Sequence, residues 1–590
     1  MARFLITTAD ERSWKFDRPA LFLGDWCRRY DQKHIWSSMD AIVAAPYGLH
    51  PGQKEKDYFN VETLCVELLV ELGEALNKHH GTNHSQRYWG LMLGHWMHRY
   101  LAVILNRFST LEQVITKHKI TETCVFNAPA FSLAMPDTLT FLWAINDDIW
   151  NNILCSNLLE FITESRIQTE AVNLDGVSSV KVPGAPPTKT GLSAVKKMAI
   201  NGLRRILPTM SRTHDAFIVT STLPLKEDIK LQLLLGQVPQ LWGGAGRLMG
   251  ECAIDYPLRK RLSLDFSRAQ GFERCARSLL THILPSCFLE GYATLQDQVR
   301  RLPWPTKPRF IFTSNSFDCD ETFKAWAGLR IEEGFPYFTG QHGGNYGTWK
   351  YCYSETECVR TSDKFLTWGW VDENEKHVPA FVFTRGGQKK RQYNPAGGLL
   401  LIEVHGPDRA EIWDEYPEFQ LYQEEQFRFV ESLPVSIQQS LTVRLHGVHK
   451  KLSWCEDQRW RDRSPDTKID SGTASLNGLI ANNRLVVHSY DSTGILETLS
   501  QNVPTLCFWQ DGLNHLRDSA KPYYEKLQLA GILHSSAEMV AKKVTEIWGD
   551  IPSWWETEDV QRVRREFCDR YAVASESPAR TLKDLLIKLP

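Results

Sequence analysis

The residues best suited by type and spacing to do chemistry stand in the run Val486–Leu499 (VVHSYDSTGILETL), with Asn502-Val503-Pro504-Thr505-Leu506 after it. A β-branched apolar stretch ends in a short polar turn, Ser492-Thr493-Gly494 opens a helix, and Glu497 sits one turn in. The first amides of a helix have no intrahelical partner, so with the hydroxyls of Ser492 and Thr493 they make a cradle for a phosphate group. Glu497 is then placed to meet a ribose or sugar hydroxyl. The same residues also fit a plain N-cap with no ligand. Two further histidines follow strand-like runs upstream, in Val443-Arg444-Leu445-His446-Gly447 and in Glu403-Val404-His405-Gly406. Another lies in Gln341-His342-Gly343-Gly344-Asn345-Tyr346-Gly347. Its glycines let the backbone approach a ligand, and its imidazole can serve as acid, base or phosphate contact. A tight turn carrying a surface histidine is the plainer alternative.

These groups need a scaffold, and the chain reads as strands alternating with helices. Short buried strands are expected at 4–8, 20–24, 216–221, 309–313, 337–340 and 364–368. A second series follows at 399–404, 441–445, 484–488 and 505–508. Helical periodicity covers 61–79, 85–108, 146–168, 411–432 and 493–501, and the final segment from 553 is helical. Alternation of this kind predicts parallel sheets covered on both faces, and ligands of such sheets bind at the carboxyl ends of the strands. Residues 171–192 are rich in Gly, Pro, Ser and Thr and read as a long loop. The TRGGQKKRQYNPAGG stretch at 384–398 reads as a linker. Four segments result: an α/β unit with helical insertions over 1–383, the linker, a compact α/β unit over 399–552, and helices over 553–590 that can cross back to the first unit.

Composition narrows the function. At 590 residues the chain exceeds the roughly 250–300 residues that one core supports. Its net charge of −2 gives no reason to expect nucleic acid as a partner. The 13 cysteines are scattered without a CxxC pair, which suits a reducing compartment. No apolar run is long enough to span a bilayer, so the expected location is cytoplasmic, with peripheral membrane contact at most. A glycine-rich dinucleotide fingerprint is missing after the first strand, which disfavours an NAD-dependent oxidoreductase. His79, His80 and His84 lack neighbouring ligands at metal-binding spacing, as do His95 and His98, and Asp318-Cys319-Asp320 sits in a polar turn. No metal and no cofactor is expected.

The strand–STG–helix–NxP–strand string resembles the donor-site signature of the glycosyltransferases with two Rossmann-type domains facing across a cleft (GT-B). The Arg444-Leu445-His446-Gly447 element resembles the Lys-x-His-Pro element of bacterial capsule transferases that use CMP-linked acidic sugars, with Arg in place of Lys and Gly in place of Pro. Several further blocks, among them FLITTADER at 4–12, KHIW at 33–36, NDDIWN at 146–151 and FLTWGW at 365–370, are similar to transferases of bacterial O-antigen and surface-carbohydrate clusters. The resemblance runs over nearly the whole chain.

It implies an α/β, GT-B-like fold with a helical insertion in the N-terminal half. It also implies transfer of a sugar from a nucleotide-sugar donor, a CMP-linked acidic sugar being favoured, onto a surface-polysaccharide or lipopolysaccharide O-antigen acceptor, glycan or lipid-linked glycan. Arg444, His446 and His405, with Ser492, Thr493, Gly494 and Glu497, then hold the donor. Asp10 or Glu11, after the first strand, or His342 acts as general base, and Gln341, Gly343 and Gly344 shape the same loop. A retaining reaction would instead call on Asp147 or Asp148 as nucleophile. Asp10-Glu11-Arg12 can equally be an ion pair that orders its loop, and Asp147-Asp148 a helix N-terminal charge. A sugar-nucleotide epimerase or phosphotransferase on the same fold, or a noncatalytic assembly scaffold, are the alternatives.

Overall fold

The computed structural model describes residues 2–162, 167–180, 207–242, 252–262, 264–267, 269–387, 393–404, 419–450, 454–509 and 512–589. His405 and residues 411–418 of the expected 411–432 helix lie outside them, as do 181–192 of the expected loop and 388–392 of the expected linker.

Three parallel sheets form among the described residues. The first contains β1 (Arg3–Ile6), β2 (Ala20–Phe22), β3 (Ala41–Val43), β4 (Ile120–Asn127) and β5 (Gln168–Asn173), in the order β3-β2-β1-β4-β5. The second contains β6 (Phe217–Val219), β7 (Ile311–Thr313), β8 (Tyr337–Gly340), β9 (Lys364–Thr367) and β10 (His377–Pro379), in the order β10-β9-β8-β7-β6. The third contains β11 (Gly398–Ile402), β12 (Leu441–Arg444), β13 (Lys468–Asp470), β14 (Asn483–His488), β15 (Thr505–Phe508) and β16 (Leu533–His534). Its order, β13-β12-β11-β14-β15-β16, is the 3-2-1-4-5-6 of doubly wound nucleotide-binding sheets, with the reversal between β11 and β14. The α/β class expected from the alternation is therefore what the chain adopts. The span 1–383, read from sequence as one α/β unit, holds both the first and the second sheet.

The strands follow the rule for sheets covered on both faces. Leu399-Leu400-Leu401-Ile402 and Leu485-Val486-Val487 are continuous apolar runs and fully buried. Edge strand β5 is the opposite case: QTEAVN is almost entirely exposed, and the sequence reading carried the preceding helix through its first residue. Gln168 instead opens β5, and the helix is described over Asp148–Ile162.

The helical insertion lies between β3 and β4. Helix Pro51–His80 closes at Gly81 in the left-handed region, with φ of 65°, and helix Gln86–Lys117 follows. The latter is apolar around most of its circumference and buried from Tyr88 to Leu105, as such a helix must be. It packs against Pro51–His80, Asp148–Ile162, Gly271–Ile283, Glu321–Glu332 and Tyr353–Thr361, joining the first two sheets through one core. Helix Pro578–Lys588 packs against Leu225–Leu234. Val573 is inserted beside the second sheet, its amide donating to the Trp368 carbonyl at 3.0 Å and its carbonyl accepting from Val382 at 2.9 Å.

Candidate functional site

The turn after β14 folds as its sequence dictates. Ser492 takes an extended conformation and helix Thr493–Ser500 starts behind it. His488 is buried, its ring lying 3.4 Å from both Ser492 Oγ and Thr498 Oγ1, and burial pushes its pKa down to about 3. A Cβ on Gly494 would stand 2.6 Å from that ring, so glycine is required for the helix to pass the imidazole. Asp491 accepts hydrogen bonds from Trp349 Nε1 at 3.0 Å and Tyr524 Oη at 3.1 Å, and lies 3.1 Å from His515 Nε2. This carboxylate is thus a hub between the turn and two other segments.

The Gln341–Gly347 loop, at the end of β8 in the second sheet, comes to the same place. Gly344 N donates to Thr493 Oγ1 at 2.9 Å. A Cβ on Gly344 would sit 2.9 Å from Thr493 N and 3.1 Å from the Ser492 carbonyl carbon. Only glycine permits this backbone-on-backbone approach. Gln341 is fully buried and fixes the loop: its Oε1 accepts from Trp368 N and Trp370 Nε1, both at 2.8 Å, and its Nε2 donates to the Gly343 carbonyl at 2.8 Å.

His342 projects from that loop against Phe317, with its Nδ1 3.0 Å from Tyr346 Oη. Phe317 has His95 on its ring as well, at 5.0 Å between centroids, and Asp318 is the next residue along. Asp318 pairs with Arg99 at 2.7 Å. Burial raises the pKa of Asp318, but its ion pair with Arg99 opposes this and the carboxyl is held below its usual range. Burial lowers the pKa of His342, with Asp318 opposing, and lowers that of His95 to about 3. Both imidazoles are therefore held neutral beside a charged carboxylate.

The remaining donor-side candidates are occupied by protein partners. Arg444 at the end of β12 is ion-paired with Asp470 at the end of β13. Asp470 also accepts from the amides of Gly472 and Ala474, at 3.0 and 3.1 Å. His446 is exposed, and its Nδ1 accepts from Val448 N at 3.3 Å. Glu497 accepts from Thr384 Oγ1 at 2.7 Å and is ion-paired with Arg385.

In the first sheet, Asp10 caps the short turn after β1 and pairs with Arg12 at 2.5 Å, while Glu11 Oε1 accepts from Gln32 Nε2 at 2.9 Å. Asp147 accepts from the amides of Ile149 and Trp150, both at 3.0 Å, and burial raises its pKa. Asp148 accepts from Ala9 N at 3.1 Å and is ion-paired with Arg29. No hydrogen bond or ion pair among the described residues joins these four carboxylates to the His342 loop. The structure thus brings Gln341, His342, Gly343 and Gly344 together with Ser492, Thr493 and Gly494. It keeps Asp10, Glu11, Asp147 and Asp148 in a separate cluster.

Sequence reasoning passed over Asp318, Arg99 and His95, which gather near His342 from two chain segments, and over the hub Asp491. For Asp318 a signal existed, since it follows β7 by five residues on the ligand-binding side of a parallel sheet.

A model of the LIC12162 family of transferases matches residues 3–586. The chain belongs to that family. No curated protein matches the sequence. Among solved structures, this family member is similar to a UDP-GlcNAc 2-epimerase from Neisseria meningitidis bound to UDP-GlcNAc, at 11% identity over 66% of this chain and 97% of that one, with a TM-score of 0.33. The spinosyn rhamnosyltransferase SpnG matches at 12% identity over 51% and 76%, with a TM-score of 0.30. WaaG, a glycosyltransferase involved in lipopolysaccharide biosynthesis, matches at 12% over 51% and 95%, with a TM-score of 0.29. Among the described residues no group of His, Cys, Asp and Glu is arranged to hold a metal ion, and no helix is long and apolar enough to cross a membrane.

Proposed function

We propose that this transferase is a glycosyltransferase of the GT-B type, taking a nucleotide sugar at the strand ends of the third sheet and a glycan acceptor at the His342 loop. The observation that carries the reading is the seat of Gly344 on Thr493. It sets an imidazole two residues away from a helix start suited to phosphate. Transfer needs both groups in one place: a base for the acceptor hydroxyl and a stabiliser for the leaving phosphate.

In this reading His342 is neutral, held at Tyr346 Oη and at the Ser314 backbone, with one ring nitrogen carrying the lone pair. That nitrogen takes the proton of the acceptor hydroxyl as its oxygen bonds to the anomeric carbon. The bond from that carbon to the donor phosphate breaks, and its electron pair leaves with the phosphate. The amides at Thr493, with the Ser492 and Thr493 hydroxyls, meet the growing charge. Arg444 and His446 lie at the end of β12, two strands across from β14, and reach the phosphate once Arg444 exchanges Asp470 for it. A CMP-linked acidic sugar as donor and a lipopolysaccharide or other surface glycan as acceptor remain the favoured substrates.

The test is calorimetric titration of the full chain with CMP, UDP, GDP and dTDP. One nucleotide binds, Thr493→Val weakens it about tenfold, and His342→Asn leaves it unchanged while lowering transfer about 10²- to 10⁴-fold. Binding of none of the four would remove the donor site, and transfer that persists undiminished in His342→Asn would remove the base.

A further inference from the structure

A cavity of about 220 Å³ lies between the N-terminal segment 25–36 and two helices of the third-sheet unit, Phe419–Glu431 and Glu456–Arg463. It is separate from the strand-end cluster just described and does not rest on the donor reading. At about 30 Å³ per water it holds roughly seven waters' worth of space, the size of one sugar ring.

Its charge is unbalanced. Arg28, Lys33, Arg459 and Arg463 line it, against Asp25 and Glu424. Arg28 is paired with Asp25 at 2.7 Å, and Arg463 reaches Glu431 outside the cavity at 2.8 Å. Arg459 makes no ion pair among the described residues. Its guanidinium lies 4.7 Å over the Tyr30 ring, and its buried Nε has no hydrogen-bond partner.

A second, independent feature points the same way. Gln423 lines the cavity, is only 2% exposed, and neither its Nε2 nor its Oε1 has a hydrogen-bond partner among the described residues. Both ends of a buried side-chain amide are rarely left unpaired, because each forfeits its bonds to water. Tyr30, which also lines the cavity, is held in place by its hydroxyl, which donates to Asp462 at 2.7 Å.

We infer that this cavity is a binding subsite for a small polyol bearing an oxyanion, a sugar phosphate or a sugar acid. Arg459 meets the anion, whose planar pair of oxygens suits a guanidinium fork. Gln423, with a donor and an acceptor to offer, bonds hydroxyls of the same molecule. Lys33 supplies a further positive charge at the mouth.

The experiment is calorimetric titration of the full chain with glucose 6-phosphate, glucuronate, inorganic phosphate and glucose. Saturable binding is expected for glucose 6-phosphate or glucuronate, the one that binds identifying a phosphate or a carboxylate, and none for glucose. Arg459→Gln weakens binding about 10- to 100-fold, the range of a charge-assisted hydrogen bond. Gln423→Leu weakens the sugar ligand about 2- to 10-fold and leaves inorganic phosphate unchanged. Lys33→Gln, at an exposed position, keeps the fold and weakens anion binding about threefold. Thr493→Val leaves all of these unchanged, which separates the subsite from the donor site. The inference is overturned if no anion binds saturably, or if binding is as tight in Arg459→Gln and Lys33→Gln as in the unaltered chain.

Discussion

The start of helix Thr493–Ser500 and the cavity beside Gln423 are both places where segments of different sheets meet, yet they treat polar groups in opposite ways. At the helix start nearly every polar side chain has a protein partner: Asp491 with three, Glu497 with two, Thr493 with Gly344, Arg444 with Asp470. Beside Gln423 an amide and a guanidinium nitrogen are left without one among the described residues. Pairing within the protein makes a junction rigid, so substitution there costs stability first. Unpaired groups contribute little to the fold, so substitution there costs ligand first. His342 stands between the two cases, held at Tyr346 Oη and the Ser314 backbone and packed on Phe317.

The contrast can be broken at its sharpest point. His342→Asn should lower transfer by about 10²- to 10⁴-fold, the worth of a general base, with melting temperature and nucleotide affinity unchanged. A matching loss of affinity would make His342 part of the binding junction. Asp491→Ala should do the reverse, leaving Trp349 Nε1 and Tyr524 Oη without an acceptor in a buried site. A loss of about 3 kcal/mol or more in chemical denaturation is expected from orphaning such groups, and a loss under 1 kcal/mol would show that the junction is not held there.

Gly344→Ala sharpens the comparison, because its Cβ would meet backbone that cannot rotate away. Overpacking of this kind costs about 1–3 kcal/mol, and transfer should fall with it as the loop lifts from Thr493. Proton linkage gives a smaller, graded test. His95 and His488 are buried neutral with pKa values of about 3, below the 6.5 of an unfolded histidine. The unfolded chain therefore binds more protons between these values. Stability is fully present above pH 6.5 and declines as pH falls toward 3, by up to about 1.4 kcal/mol per pH unit for each histidine. Melting curves at pH 7, 6 and 5 check this, and His488→Gln should flatten the decline. The acid limb of transfer should likewise lie below pH 6.5, since burial depresses the pKa of His342. Asp318→Asn removes the charge opposing that depression and should move the limb lower still.

How much was readable from the chain follows from what is local. The strands read at 399–404, 441–445, 484–488 and 505–508 are each built around apolar residues, and the Ser492-Thr493-Gly494 turn that opens the helix lies within three residues. β3, β4, β5, β10, β13 and β16 were not read; in β5 and β13, QTEAVN and KID carry no apolar run and gain their pairing only from a neighbour. Asp10-Glu11-Arg12 offered two readings, and Asp10 is in fact paired with Arg12. The pairing of Glu497 with Arg385 spans 112 residues, and the gathering of His95, Arg99, Asp318 and His342 depends on how a 32-residue helix lies between two sheets. No spacing rule reaches that far, so a residue set aside for standing in a polar turn, Asp318, proved to be a neighbour of the candidate base.

The insertion of Val573 beside the second sheet bears on how the protein is made. The contact from Glu227 to Ala579 spans 352 residues. At about 5–20 residues per second, a ribosome takes roughly 20–70 s to bridge that gap. Until then the middle sheet has an apolar flank waiting for its last helix, while the first sheet and its helical insertion have already emerged. Synthesis thus imposes an order of assembly in which the unit carrying His342 closes last, and the nascent chain is most in need of a chaperone in that interval.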